Sequence, residues 1–303
     1  MPKKMMKTEP ITETFGTFVL GTNDVDICEI DRTEVINFFK SSSLLLFRGF
    51  DVDTDTFKKF SELFSTNFVS YVGGAYSREM IKGDKTLLSV TGGKQNFPVP
   101  LHGEMYYRKQ KPDIIWFYCS TPALKDGETT ICDGIQIYNE LSDSTQKLLT
   151  TKRIKYIRTY PAEAWHKIYQ TDDTSLVEKV CNDNDMQLEV HPDQSITTTY
   201  VTSALIESKC GKYKVFINNI LPVIEQEVKG SNSSLVRFED DSKIPDETIT
   251  EIQEITDKLT YLVSWQKGDI VMVDNTRLMH GRKSFSDNQR DIYVRLCEAN
   301  FTF

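Results

Sequence analysis

Short apolar segments, many of them alternating with polar residues, recur along the chain and predict a mainly β structure. The segment PDIIWFYCSTPA (112–123) is almost continuously apolar and aromatic, as in a buried strand. Further strands are predicted at LLLF (44–47), TLLSVT (86–91), GETTICDG (127–134), KRIKYIRTY (152–160), TTTYVTSALI (197–206), KYKVFINN (212–219), GDIVMVDNTRLMH (268–280) and RDIYVRLCEANF (290–301).

Apolar residues at helical spacing predict a smaller number of helices, with polar residues at several of their starts. These are predicted within residues 31–43, 53–68, 135–151 and 245–265. The polar segment VKGSNSSLVRFEDDSKIPDE (228–247) is predicted to be a loop. No strand, glycine-rich turn and helix unit of a doubly wound sheet is found. The pattern therefore favours a β-barrel or jelly roll braced by helices.

Composition and charge narrow the range of partners. The 303 residues are 39% hydrophobic and 26% charged, as in a globular protein, and the formal net charge is −8. This acidic balance disfavours a nucleic-acid partner. No apolar run has the length of a membrane span or a signal peptide. The six cysteines are scattered without a CxxC pair, which indicates reduced thiols and a cytoplasmic protein.

The segment LHGEMYYR (101–108) carries the candidate chemistry. The chain has only four histidines, and here His102 precedes Glu104 by two residues, so both side chains share one face of a predicted strand. His280 ends another predicted strand. Two imidazoles and one carboxylate form the ligand set of non-haem iron(II), which leaves coordination positions open. A pair such as His102 and Glu104 is a weak signal by itself, and a histidine in a buried strand often has only a structural role.

Two further residues fit a bound 2-oxoglutarate. If that co-substrate chelates iron, its distal carboxylate requires a fixed cation, for which a planar guanidinium is well suited. Arg290 follows His280 by ten residues and is expected to face the same cavity. A hydroxyl from a neighbouring strand, Thr129 or Thr130, would complete the binding site.

The segments described so far resemble those of a known family, the taurine-dioxygenase-like (TauD/TfdA) iron(II)- and 2-oxoglutarate-dependent oxygenases. The similarity is closest to the branch of clavaminate-synthase-like and syringomycin-type amino-acid hydroxylases. It extends from LLLFRGF almost to the C-terminus and includes LHGEMYY, PDIIWFYCSTPALKDGETTICDG, VRFEDDSKIPDETI, SWQKGDIVMVDNTRLMHGRKSF and RDIYVR. The resemblance implies a mainly β fold with flanking helices, a double-stranded β-helix (jelly roll) of the clavaminate-synthase type.

The resemblance also assigns roles to residues. It makes His102, Glu104 and His280 the iron ligands and catalytic centre, and Thr129 and Arg290 the 2-oxoglutarate contacts. It implies a single oxygenase domain over residues 1–303, with an insert at about 150–260 between the metal-ligand segments. Since halogenases of this kind replace the carboxylate by a small residue, a glutamate at this position argues against halogenation.

Four residues are candidates for substrate contacts. Strand alternation predicts that Tyr106 and Arg108 share the metal face, with Tyr107 pointing away. Val294 occupies a position where family members that bind a sulfonate have an arginine, which disfavours a taurine-like substrate. Arg295 is the alternative to Arg290 as the co-substrate cation.

The implied function is oxidation, in the first place hydroxylation, of an unactivated C–H bond in an amino-acid-like small molecule, with Fe(II), 2-oxoglutarate and O2 and with release of succinate and CO2. Desaturation, cyclisation or another oxidative outcome in natural-product biosynthesis is an alternative. A free substrate is favoured over one tethered to a carrier. Rival interpretations are a zinc hydrolase, for which no HExxH pair is present, and a non-catalytic jelly-roll binder of an organic anion.

Overall fold

The computed structural model describes residues 7–22, 24–74, 78–90, 96–209 and 211–303. The strands, in chain order, are β1 (Lys7–Pro10), β2 (Thr17–Leu20), β3 (Leu44–Arg48), β4 (Met80–Ile81), β5 (Asp84–Ser89), β6 (Val99–His102), β7 (Ile114–Thr121), β8 (Thr129–Asp133), β9 (Ile154–Tyr160), β10 (Gln187–Val190), β11 (Ile196–Thr202), β12 (Leu205–Glu207), β13 (Lys214–Phe216), β14 (Ser234–Phe238), β15 (Tyr261–Val263), β16 (Ile270–Asp274), β17 (Leu278–Arg282) and β18 (Asp291–Cys297).

Helices connect and flank these strands. They are α1 (Arg32–Ser42), α2 (Thr54–Glu62), α3 (Gly134–Glu140), α4 (Asp143–Thr151), α5 (Ala162–Tyr169), α6 (Thr174–Asp183), α7 (Ile220–Val228) and α8 (Asp246–Leu259). Several begin at a polar side chain that accepts backbone hydrogen bonds of the first turn. Asp31 starts α1 and Asp53 starts α2 in this way. None of the helices in the described ranges is long and apolar enough to cross a membrane.

Two sheets enclose the main core. The larger has the strand order β1-β2-β3-β16-β7-β18-β5-β4, and the smaller has the order β15-β8-β17-β6. Side chains of both sheets belong to one buried cluster, for example Phe117 and Val271 of the larger sheet and Ile131 and Leu278 of the smaller. On the outer side of the larger sheet, Phe57 and Phe60 of α2 pack in a second buried cluster. In the smaller sheet, β17 lies between β8 and β6, so these three strands are adjacent.

A third sheet, of order β10-β11-β9-β14, lies between β6 and β17 in sequence. Together with the β12–β13 hairpin and helices α5, α6 and α7 it occupies much of the predicted insert. The central strand β9 pairs along its length with β11 and also with β14. The description of residues 1–303 as one domain with an insert at about 150–260 stays a prediction.

The structure differs from the predicted elements at several places, most clearly in residues 228–247 and 135–151. Residues 228–247 are not only a loop, because they contain β14, in which Ser234 pairs with Arg158 of β9. The polar residues on both sides of SLVRF concealed this short strand. The single helix predicted over residues 135–151 is two helices, since α3 ends at Glu140 and the Ser142 hydroxyl begins α4 by accepting a hydrogen bond from the Thr145 amide.

Cysteine pairing agrees with the prediction in the part of the chain that is described. Five cysteines are free thiols there, and four of them are buried. Cys210, the sixth, lies outside the described residues.

Candidate active site

Three predicted metal ligands converge where β6 meets β17. His102 ends β6 and is the direct register partner of His280 in β17. One ligand atom from each of His102, Glu104 and His280 lies within 4.8 Å of the other two. Nε2 of His280 is 3.7 Å from Oε2 of Glu104, and the two imidazole centroids are 4.3 Å apart. The spacing is that of donors able to share one ion.

The hydrogen bond of His102 determines which of its nitrogens is available. Nδ1 lies 2.9 Å from the carbonyl oxygen of Pro100, so it is the nitrogen that carries and donates the proton. Burial, together with the neighbouring His280, lowers the pKa of His102 to about 3. The imidazole is therefore neutral at physiological pH, and Nε2 keeps its lone pair for a metal.

Asn275 fixes the backbone that carries Glu104. Its Oδ1 accepts a hydrogen bond from the Glu104 amide at 2.8 Å, and its Nδ2 donates to the Glu104 carbonyl at 3.1 Å and to the Pro112 carbonyl at 2.8 Å. Asn275 is fully buried between β16 and β17. The turn after His102 is thus tied to the strand pair that ends in His280.

Arg78 holds the carboxylate of Glu104. Burial alone would raise the pKa of this carboxyl, but the positive charge of the Arg78 guanidinium keeps it far below its usual range. Nη2 of Arg78 donates to Oε2 of Glu104 at 3.0 Å. Arg78 was not recognised from the sequence, because it lies in an irregular segment about 25 residues before the metal motif.

A cavity of about 1170 Å³ opens at this site. All five residues predicted to bind metal or co-substrate contribute to its wall, and they are His102, Glu104, Thr129, His280 and Arg290. Four of them are less than 9% exposed, and His102 is half-buried. The surrounding side chains come from both sheets of the main core and from the third sheet, so the cavity is closed on several sides.

The Arg290 guanidinium is an incompletely paired cation in this wall. Its Nε donates to the carbonyl of Gly127 at 2.9 Å, whereas its buried Nη1 has no partner among the described residues. Burial and the nearby Arg282 lower the pKa of Arg290 to about 9, which still leaves it charged at neutral pH. An organic anion at this position would satisfy both the charge and the free donor.

Thr129 presents its hydroxyl to the same cavity. Its Oγ1 accepts a hydrogen bond from Nε1 of Trp265 at 3.0 Å. The indole can only donate, so the hydroxyl proton of Thr129 remains free to donate to a ligand oxygen. Thr130, the other hydroxyl considered, is not part of the cavity wall.

The predicted orientations of the two tyrosines are reversed. Tyr107 lines the cavity, whereas Tyr106 is buried elsewhere and donates from its hydroxyl to the carbonyl of Asn275 at 2.9 Å. Alternation assumed that the strand continues, but β6 ends at His102 and Met105 has a positive φ of 63°. A turn therefore replaces the period of two on which the prediction depended.

The other three candidate substrate contacts also lie outside the cavity wall. Arg108 donates from Nε to Asn184 and from Nη1 to the carbonyl of Val72. Val294 is completely buried in the main core. Arg295 points to the opposite side of its sheet, where it bonds to α2, and so it is not an alternative to Arg290.

Comparison with known proteins agrees with this geometry. Residues 7–297 match the family described as taurine catabolism dioxygenase TauD, TfdA family. A clavaminate synthase-like protein of Arabidopsis thaliana is 25% identical over 273 residues, covering 85% of this chain and 82% of the relative. The dapdiamide synthesis protein DdaC of Enterobacter agglomerans is 26% identical over 299 residues, covering 92% of this chain and 89% of the relative.

Among solved structures, PvcB of Pseudomonas aeruginosa aligns with a TM-score of 0.62 at 14% sequence identity, covering 99% of this chain and 94% of that one. PvcB is described as an Fe, alpha-ketoglutarate dependent oxygenase from an isonitrile synthetic pathway. The similarity confirms the predicted fold, a double-stranded β-helix (jelly roll) with flanking helices. Because the family match extends over nearly the whole sequence, the chain belongs to the TauD/TfdA family of dioxygenases.

Proposed function

We propose that this dioxygenase uses Fe(II), 2-oxoglutarate and O2 to oxidise an unactivated C–H bond of an amino-acid-like small molecule, most simply by hydroxylation. One observation carries the proposal: donor atoms of His102, Glu104 and His280 lie within 4.8 Å of one another at the wall of a large cavity. Two neutral imidazoles and one carboxylate are the ligand set typical of non-haem iron(II) oxygenases.

The residues present fit such an ion. His102 offers Nε2 because its Nδ1 proton is engaged by Pro100, and Glu104 is ionised beside Arg78. When bound, iron(II) with 2-oxoglutarate activates O2, so that one oxygen atom enters succinate as CO2 is released and the other oxidises the substrate. The protein supplies the ligand geometry, a cavity beside the metal ligands, and the orientation of the substrate.

Thr129 and Arg290 are the proposed contacts of 2-oxoglutarate. The free Nη1 of Arg290 and the free hydroxyl proton of Thr129 both belong to the wall that contains the metal ligands. A guanidinium with an unpaired donor suits a carboxylate, and a hydroxyl already fixed by Trp265 is oriented to donate to it.

The proposed substrate is a small molecule of a biosynthetic pathway. This is supported by the names of the relatives, since DdaC is a dapdiamide synthesis protein and PvcB belongs to an isonitrile synthetic pathway. Desaturation or cyclisation would use the same residues, because they differ only after the C–H bond is broken. We also propose a cytoplasmic location, on the basis of the free thiols.

An anaerobic titration tests the cofactor chemistry. Addition of iron(II) and 2-oxoglutarate to the purified protein is expected to give the weak visible charge-transfer band of an iron(II)–2-oxo-acid chelate. His102→Ala should abolish the band and Arg290→Ala should weaken it. His191→Ala is the control, since His191 pairs with Glu189 at the surface of the third sheet. A protein that retains iron but never gives the band would instead be a binder of organic anions.

A further inference from the structure

Arg158 is a second cation in the cavity wall that is incompletely paired. It lies in the middle of β9, is only 7% exposed, and lines the cavity together with the metal ligands. Its guanidinium carbon is stacked 3.5 Å from the centre of the Tyr107 ring. The stacking and the pairing of β9 with a strand on each side hold this side chain in one place.

Few groups compensate the charge of Arg158. Among the described residues its Nε has no hydrogen-bond partner, and Nη1 makes a long contact of 3.4 Å to the hydroxyl of Tyr160. Within the described ranges, no Asp or Glu forms an ion pair with it. A buried cation without an anion is unfavourable, and a charged ligand is the simplest way to remove that cost.

The other arginines of the cavity have partners or an assigned role. Arg78 pairs with Glu104, and Arg282 donates to the carbonyls of Val90 and Phe97. Arg290 is proposed above to bind 2-oxoglutarate. Among these four, Arg158 alone has neither a carboxylate nor a backbone carbonyl as partner among the described residues and no assigned role, although it stands in the same wall. It is therefore the arginine of this wall that is available for a further ligand.

An unpaired acceptor belongs to the same cavity wall as Arg158. Asn219 also lines the cavity, its side chain does not cap α7, and its buried Oδ1 has no partner among the described residues. The Asn219 amide donates to the hydroxyl of Tyr156, and alternation places Tyr156 and Arg158 on the same face of β9. A ligand with an N–H donor near its anionic group would supply the missing partner of each residue.

We propose that Arg158 binds the carboxylate of the substrate, so that the enzyme selects an amino-acid-like molecule with a free acid group. The inference rests on the proposed function, because it assigns the substrate of the same cavity. A carboxylate is favoured because a single planar guanidinium matches its two oxygens. Arg158 determines specificity by this contact, and Asn219 accepts from the neighbouring N–H.

Binding of matched acids and amides tests the proposal. The probes are the proteinogenic L-amino acids, their N-acetyl derivatives and the primary amides of both, added to the protein loaded with Mn(II) and 2-oxoglutarate. Protection against thermal unfolding identifies binders, and calorimetry gives their dissociation constants. At least one acid is expected to bind roughly 10- to 100-fold more tightly than its amide, the range of a hydrogen-bonded charge.

Three variants isolate the role of Arg158. Arg158→Gln should remove the preference for the acid, and Arg158→Lys should keep a part of it because the charge remains. Arg153→Gln is the matched control, since Arg153 lies just before the same strand and pairs with Glu239 at the surface. It should behave like the unaltered protein. Circular dichroism and 2-oxoglutarate affinity show whether each variant is folded.

Several outcomes would overturn the proposal. They are equal binding of acids and amides, the absence of any acid that binds, and a preference that persists in Arg158→Gln. The charge-transfer band separates this failure from failure of the proposed function. If the band forms in the unaltered protein and in Arg158→Gln but acids are not preferred, only the role of Arg158 is wrong. If the unaltered protein gives no band, the oxygenase proposal itself fails.

Discussion

Arg78 and Glu104 form an ion pair inside the cavity, with Nη2 of the arginine 3.0 Å from Oε2 of the glutamate. The same carboxylate oxygen lies 3.7 Å from Nε2 of His280. Arg78 is itself held by stacking 4.0 Å from the centre of the Tyr71 ring. The carboxylate is consequently oriented towards the histidines before any ion binds. The positive charge of Arg78, which lies beside the metal position, is by itself unfavourable for a cation there.

Arg78→Gln is expected to weaken metal binding despite the removal of a nearby cation. Without Arg78, burial raises the pKa of Glu104 and the carboxylate loses the donor that orients it. Loss of such an outer partner typically lowers metal affinity roughly 10- to 100-fold. Mn(II) binding, followed by electron paramagnetic resonance at neutral pH, measures the effect. Arg32→Gln is a suitable control, since Arg32 bonds to Leu63 and Asn300 at the surface. Unchanged or tighter Mn(II) binding in Arg78→Gln would refute the orienting role.

Thr129→Val should lower the affinity for 2-oxoglutarate, whereas Thr130→Val should not. Only Thr129 belongs to the cavity wall, and its hydroxyl proton is free because Trp265 occupies the acceptor side. A hydrogen bond to a charged group contributes about 1.5–3 kcal/mol, so the dissociation constant should rise roughly 10- to 100-fold. Titration of the anaerobic iron complex with 2-oxoglutarate gives both constants. Equal effects at the two positions would show that Thr129 has no special role.

Alanine variants of Arg290 and Arg295 should differ in which property they lower, the affinity for 2-oxoglutarate or the free energy of unfolding. Arg295 is 2% exposed, donates to the Lys58 carbonyl and to Ser61 of α2, and stacks 3.6 Å from the centre of the Phe68 ring. Arg295→Ala is therefore expected to lower the free energy of unfolding by about 2–3 kcal/mol with little change in 2-oxoglutarate affinity. Arg290→Ala is expected to lower the affinity for 2-oxoglutarate with little change in the free energy of unfolding.

Denaturant unfolding and the same 2-oxoglutarate titration measure the two effects. The pair provides its own control, because each variant removes one buried guanidinium from the neighbourhood of β18. A large loss of 2-oxoglutarate affinity in Arg295→Ala, with its stability intact, would restore Arg295 as the co-substrate cation.

Residues near regular strands were predictable from the sequence. His102 ends β6, His280 lies within β17 and Thr129 begins β8. The strand pattern together with the resemblance therefore predicted that these three side chains lie near one another. The hydrophobic runs that form β7 and β16 are long and β-branched or aromatic, and they lie at the centre of the large sheet. In such segments local preference and final burial agree.

Residues in turns and in the third sheet were not predictable in the same way. The exchange of Tyr106 and Tyr107 follows from the end of β6 at His102, and no periodicity marks that point. Lys155 and Arg158 are the two charged residues of β9, and alternation places them on opposite faces of the strand, but it does not show that a cavity lies on the face of Arg158. The burial of Arg158 depends on Tyr107, which is about 50 residues away in sequence, so only the tertiary structure reveals it.

Asp274 makes stability dependent on pH in an unusual direction. Its carboxylate is buried at the end of β16, where Oδ1 accepts from the amide and hydroxyl of Thr276. Burial raises the pKa of Asp274 to about 6, from the 3.8 of a solvent-exposed aspartate. The folded protein thus binds this proton more tightly than the unfolded chain does, and the resulting stability is complete below pH 3.8 and is lost as the pH rises through 6.

Asp274→Asn should therefore remove a fall in stability between pH 4 and pH 6. The shift corresponds to at most about 3 kcal/mol, and the neutral amide can still accept from Thr276 without the cost of a buried charge. Urea unfolding of both proteins at a series of pH values measures the difference between their unfolding free energies. Because the other carboxyl groups contribute equally to both proteins, the pH dependence of this difference reports on Asp274. If the difference in unfolding free energy between Asp274→Asn and the unaltered protein stays constant from pH 4 to pH 7, then Asp274 does not titrate in this range. A difference that grows in favour of the variant as the pH rises would establish that this aspartate is held as a charge in a site that favours its protonated form.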